Sequence, residues 1–194
     1  MKEQGRHTER CSECKNILID LFRKLYGEVK IDHKIEIPAR IEKYKGTKHY
    51  KLLNKVYAAL ITYRKHRKFV RINTLHRCDL YIPKPGFIVE FDESQHFSKA
   101  RIISLNKYPS LLKLGFSKRK WIRLCSEINA KDNDPPFRDE QRAWYDTLRD
   151  FLPLLHKSKL KPTVRIFMKE FKYCELNPNK KTDIKIFKNL LKAK

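Results

Sequence analysis

Four carboxylates and a histidine fall within one short stretch, Asp79-Leu80-Tyr81-Ile82-Pro83-Lys84-Pro85-Gly86-Phe87-Ile88-Val89-Glu90-Phe91-Asp92-Glu93-Ser94-Gln95-His96, and Asp79, Glu90 and Asp92 are the three placed to converge. Glu90 and Asp92 are two residues apart, so in a strand both side chains point to one face. Asp79 lies across a turn and can share that face. Carboxylates converging on one side of a sheet repel each other and are costly to desolvate, and a divalent cation with oxygen ligands relieves both penalties. Mg2+, or Mn2+ in its place, is typically held by one or two carboxylates together with waters and a substrate phosphate. Such an ion can polarise a phosphodiester, activate a water and steady the leaving oxygen. The plainer alternative is a solvated hairpin face whose acids point into water. Against it stands the setting, an acid cluster inside a strongly basic chain.

The elements that must position these groups read as a hairpin. Leu80 and Ile82 alternate before Pro83, and Phe87, Val89 and Phe91 alternate after Gly86. Pro-Lys-Pro-Gly between the two runs is a turn signal, because Pro fixes φ and Gly allows positive φ. Asp79 opens the first strand, and Glu90 and Asp92 lie in the second.

Asp79, a turn, then Glu90-x-Asp92 resembles the core of the PD-(D/E)xK nuclease superfamily. Glu90-x-Asp92-x-x-x-His96 is similar to its very-short-patch-repair-type branch, whose second strand ends E-x-D-G-x-x-H. Arg138-Asp139-Glu140-Gln141-Arg142 followed by Thr163-Val164-Arg165-Ile166-Phe167 resembles that branch's helix and third core strand. Two departures stand out: Asp92 occupies the place of the superfamily's usual lysine, and Glu93 that of the branch's glycine. Gln95, His96 or Lys99 are the residues at hand to replace the lysine. The resemblance implies a restriction-endonuclease-like α/β fold, a mixed central sheet flanked by helices. It also implies that Asp79 and Glu90 hold Mg2+, that Asp92 binds it or orients its water, and that His96 or Gln95 assists proton transfer or holds the phosphate. A glutamate on the N-terminal helix often joins the metal site in this family, which makes Glu13 a further catalytic candidate; the alternative for Glu13 is a surface acid favoured by the helix dipole.

The chain has 194 residues, enough for one domain with a core of its own. Its 45 Lys and Arg against 22 Asp and Glu give a net charge of +23, which points to a polyanionic partner, nucleic acid first and DNA in particular. A membrane partner is disfavoured, since no long apolar segment or lipidation signal is present. The first residues are polar and contain no secretory h-region. The five cysteines are an odd number without scaffold density, which suits a reducing cytoplasm, or a nucleus or nucleoid where DNA is held. Cys11-x-x-Cys14 is a lone pair by spacing, with Cys78, Cys125 and Cys174 scattered, so all five read as small buried or half-exposed thiols.

Along the chain, residues 9–26 read as a helix stopped by Gly27, and residues 28–37 as an alternating strand closed by Pro38. Residues 39–48 read as a polar linker, and 48–66 as a second helix whose end, Tyr63-Arg64-Lys65-His66-Arg67-Lys68, is basic and aromatic. Arg64, Lys65, Arg67, Lys68, Lys99, Arg101, Arg138 and Arg142 are the candidate nucleic-acid contacts. Residues 100–130 read as two helical pieces forming an insertion or lid. Residues 137–152 read as a helix in which Asp139 and Asp146 pair with its own arginines. Residues 163–168 read as a strand, and 171–194 as a basic extension with a docking segment near 184–191. Together these describe one domain, with helical insertions at about 48–68 and 98–130. The expected activity is divalent-metal-dependent cleavage of DNA, endonucleolytic by preference, with a homodimer if both strands are cut. The competing expectation is a nuclease-fold binding protein without catalysis, for which the missing lysine argues.

Overall fold

The computed structural model describes residues 8–158 and 160–192. Its centre is a four-stranded mixed sheet in the order β1 (Lys30–His33), β2 (Cys78–Ile82), β3 (Phe87–Asp92), β4 (Val164–Phe167). The first two pairings are antiparallel and β3–β4 is parallel. The β2–β3 hairpin follows from its sequence. Leu80 lies opposite Val89, Tyr81 opposite Ile88 and Ile82 opposite Phe87, and Gly86 takes the positive φ (88°) that closes the turn. One further step of that register sets Asp79 opposite Glu90.

Each face of the sheet has its own cover. Leu80, Ile82, Phe87, Val89, Phe91, Ile166 and Met168 bury one face against α1 (Ser12–Tyr26) and α7 (Lys181–Lys192). The segment near 184–191 is therefore helical, and it docks through Phe187. Ile88 and Phe167 bury the other face in the larger core, which includes α2 (Tyr50–Arg64), α3 (Lys99–Asn106), α4 (Lys118–Ile128) and α5 (Arg138–Asp150). The short α6 (Leu152–Leu155) continues α5.

Three sequence expectations need correction. The strand expected over 28–37 pairs only at Lys30–His33, where Ile31 is exposed at the sheet edge; Ile35 and Ile37 are buried outside the ladder. The stretch read as a polar linker buries Ala39, Ile41 and Tyr44, the last two on a 3-10 turn. The stretch read as an insertion or lid does form two helices with Trp121 in the core, and it is a wall rather than a lid: α3 and α4 also bury Ala100, Leu105 and Cys125. Gly115 lets the segment between them run beside the start of β4, since a Cβ there would lie 2.4 Å from the Thr163 carbonyl oxygen.

Candidate active site

The sheet face that packs on α3 and α5 carries charge as well as apolar side chains. Glu90 and Asp92 point there from β3, and Arg165, the register partner of Glu90, points there from β4. α5 answers with Asp146 and, one turn further along the same helix face, Arg149 and Asp150, and α3 adds Arg101. Arg165 is the hub. Its Nη1 donates to Asp92 Oδ1 at 2.7 Å, its Nε to Asp150 Oδ1 at 2.8 Å and its Nη2 to Asp146 Oδ1 at 3.2 Å. Arg101 and the Tyr108 hydroxyl each donate to the other Asp150 oxygen at 2.7 Å. Trp121 Nε1 donates to Asp92 Oδ2 at 2.8 Å.

His96 closes the outer side. A 3-10 turn at Ser94–His96 directly after β3 folds its ring back over the strand end, so that Nδ1 lies 3.0 Å from Asp146 Oδ2 and 3.6 Å from Asp92 Oδ1. Ligand atoms of Asp92, His96 and Asp146 all lie within 4.8 Å of one another. Two carboxylates and an imidazole form a donor set suited to a divalent cation. Asp92 and Asp146 are buried, while the His96 side chain keeps 20% of its surface. Solvent therefore reaches the group from the histidine side, and Arg165 closes the inner side.

Asp79 and Glu90 stand beside this group. Asp79 is half-buried, and its Oδ2 accepts the Phe91 N–H at 2.7 Å. Burial raises its carboxyl above the ordinary value, with that N–H opposing. Glu90 is pushed up to about 7 by burial, against the pull of Arg149. Arg149 Nε lies 2.9 Å from Glu90 Oε1, yet that oxygen receives no aligned hydrogen bond, so the pair is ionic only. Burial disfavours the charged form of His96, but the charge and hydrogen bond of Asp146, with Asp92, outweigh it and raise the imidazole above its usual value. Burial works the same way on Asp146, where Arg165 and His96 win and hold the carboxyl well below the usual range.

The remaining sequence candidates fall into two sets. Gln95 belongs to the rim: Arg142 donates to its carbonyl at 3.1 Å and to its side-chain oxygen at 3.0 Å while also holding Asp132 at 3.0 Å. Arg64 pairs with Glu140 and donates to Asn133 at 2.6 Å, and Arg138 donates to the Asp134 carbonyl at 3.2 Å. These cations gather around the 132–136 loop. Lys99 lies over the Tyr63 ring and Arg71 over Phe137, while Lys65, Arg67 and Lys68 are exposed beside them. The result is a basic, aromatic rim next to His96. Arg101 is not part of it. It is 1% exposed, held by Asp150 and Tyr108, and so has no access to a phosphate. Glu13 is exposed in the first turn of α1. That end of the helix reaches the hairpin through Glu9, which accepts the Ser94 N–H at 2.7 Å, and through Arg10, 3.3 Å from Glu93.

Sequence reasoning missed Asp146, Arg149, Asp150 and Arg165 as members of the site. α5 does not pair its charges within itself: Asp139 faces Arg64, Asp146 faces Arg165 and His96, and Arg149 faces Glu90. One signal was present. Arg165 alternates with Val164, Ile166 and Met168, so it had to point to the face opposite theirs, the face of Glu90 and Asp92. A buried cation there requires acids around it. Comparison of the chain with protein-family models, with curated proteins and with solved structures finds no match.

Proposed function

We propose that this protein is a divalent-metal-dependent nuclease of restriction-endonuclease-like architecture, acting on DNA phosphodiesters. One observation carries the reading. Asp92, His96 and Asp146 gather their ligand atoms at the end of β3, at the edge of a basic and aromatic rim, in a chain of net charge +23. The ion would be held by Asp92, His96 and Asp146, with Asp79 beside them, and when bound it would supply Lewis-acid polarisation of the phosphoryl oxygen. The donor set suits Mn2+ at least as well as Mg2+, since imidazole is a softer ligand than carboxylate.

The protein's own groups divide the remaining work. Arg165 fixes Asp92 and Asp146 from behind, so that both reach forward without rotamer freedom. Glu90, with a carboxyl near neutrality, is suited to accept a proton from an attacking water at physiological pH. Arg142 holds Gln95, and with it the turn that presents His96. Lys65, Arg67, Lys68 and Lys99 would bind the nucleic-acid backbone through counterion release, and Tyr63 and Phe137 offer ring faces for unpaired bases.

A second reading, nucleic-acid binding on this fold without cleavage, is favoured by Arg165. A guanidinium that already neutralises Asp92 and Asp146 can make a cation dispensable. Incubation with supercoiled plasmid, single-stranded DNA and RNA at low salt, in Mg2+, Mn2+ or EDTA, separates the two. Metal-dependent cleavage of any of these supports the nuclease, and the substrate cut identifies its class. Nicked plasmid would suit a monomer, and linear plasmid a homodimer. Binding to all three with no cleavage supports the second reading.

A further inference from the structure

The two halves of a second site come from opposite ends of the chain. Cys11 and Cys14 lie at the start of α1. Cys174 lies on the 3-10 turn Tyr173–Glu175 that follows β4. The fold brings Cys174 to the pair, although spacing alone had left it scattered. Its backbone N–H donates to Cys14 Sγ at 3.2 Å, and the Cys14 N–H donates to Cys11 Sγ at 3.2 Å, where Cys11 is the N-cap of the helix. All three sulfurs lie within 4.8 Å of one another. A tetrahedral ion with metal–sulfur bonds of about 2.3 Å sets its sulfurs roughly 3.8 Å apart, so small rotamer adjustments suffice. The other two cysteines, Cys78 and Cys125, are buried in the larger core, apart from this group.

We propose that Cys11, Cys14 and Cys174 bind a thiophilic divalent ion, zinc by preference, as a structural site separate from the acidic centre. Three thiolates suit zinc and exclude Mg2+, which takes oxygen ligands. Cys-x-x-Cys is the spacing by which one turn offers two sulfurs to one ion. At the helix start the Cys14 N–H donates to Cys11 Sγ, which favours thiolate at Cys11. Cys14 is fully buried while Cys11 and Cys174 are half-buried, so the fourth coordination position faces the outer side.

The consequence is mechanical. A metal here ties the first turn of α1 to the segment after β4, closing a loop of most of the chain. That first turn, with the residues just before it, also carries the contacts of Glu9, Arg10 and Lys15 to the end of the hairpin. The site thus holds one wall of the acidic centre in place, whatever that centre does.

The test is metal analysis of the full chain purified under reducing conditions without added metal, together with Co2+ reconstitution of the chelated protein. The proposal expects about one zinc per chain, falling to near zero in both Cys14→Ser and Cys174→Ser. It also expects a Co2+ spectrum with thiolate charge-transfer bands and tetrahedral d–d intensity in the wild type. The wild-type spectrum stands even where a variant fails to fold. Zinc-free protein whose Co2+ spectrum lacks thiolate bands would overturn it. So would a mass lower by two hydrogen atoms under non-reducing conditions with no metal bound, which would make two of the three cysteines a disulfide.

Discussion

Arg165→Leu tests the internal ion cluster most sharply. Arg165 is 0% exposed and donates to three carboxylates, Asp92, Asp146 and Asp150. Leucine roughly fills the space of the aliphatic stem but removes every donor. The loss is smaller than three broken pairs, because each acid keeps at least one partner: Asp92 keeps Trp121, Asp146 keeps His96, and Asp150 keeps Arg101 and Tyr108. The expected cost is that of one broken buried pair, about 3–5 kcal/mol. For a domain of this size that lowers the melting temperature by roughly 6–20 °C. Urea unfolding followed by tryptophan fluorescence and circular dichroism provides the assay, since Trp121 and Trp144 are both buried. Asp92→Asn added to Arg165→Leu removes the charge left with only the neutral Trp121 donor and should recover part of the loss, so the two changes are non-additive. A loss below about 1 kcal/mol, or strict additivity, would refute the clamp assigned to Arg165.

Other expectations follow from the same geometry. Trp121→Phe keeps an aromatic side chain, though a smaller one, and removes the donor to Asp92 Oδ2, and should cost at least about 1–3 kcal/mol in the same unfolding assay. The Glu90 carboxyl is raised from its ordinary value to about 7, so the folded state holds a proton that the unfolded state releases. Its contribution is present below the ordinary carboxylate range and lost as pH rises through about 7. The expected loss of roughly 3 kcal/mol should be absent in Glu90→Gln when stability is measured across that window. His96 must be neutral to ligate, and its pKa is raised, so Mn2+ affinity by calorimetry should strengthen from pH 6 to pH 8. Replacing Lys65, Arg67 and Lys68 together with alanine should make the salt dependence of DNA binding shallower by about 2–3 in the log–log slope.

What the sequence disclosed followed the range of its own periodicities. Alternation and Pro-Lys-Pro-Gly placed the β2–β3 hairpin, the same-face carboxylates and the helices around them. The partners of those carboxylates were less legible, because they meet through the parallel β3–β4 pairing and the packing of α5, which no local pattern encodes. Asp146 and Arg149 looked like surface ion-pair residues on a charged helix, yet both face the sheet. Arg101 looked like a phosphate contact because it follows His96 in a basic run, but α3 turns it into the core. Cys174 looked isolated because its partners lie 160 residues away along the chain. The edge strand was overread, since Ile35 and Ile37 are buried by a turn that supplies apolar positions without a ladder.

The most direct test assigns cleavage to the acidic centre. Supercoiled plasmid in Mn2+ at low salt would be incubated with wild type, Asp79→Asn and Asp92→Asn, each first shown to be folded by circular dichroism and to bind DNA. Asp79→Asn is the gentler change, because asparagine can still accept the Phe91 N–H. The account predicts nicking by the wild type that EDTA abolishes, and a loss of at least a hundredfold in both variants with DNA binding retained. Equal cleavage by all three proteins, or none by folded, DNA-binding wild type, would contradict it.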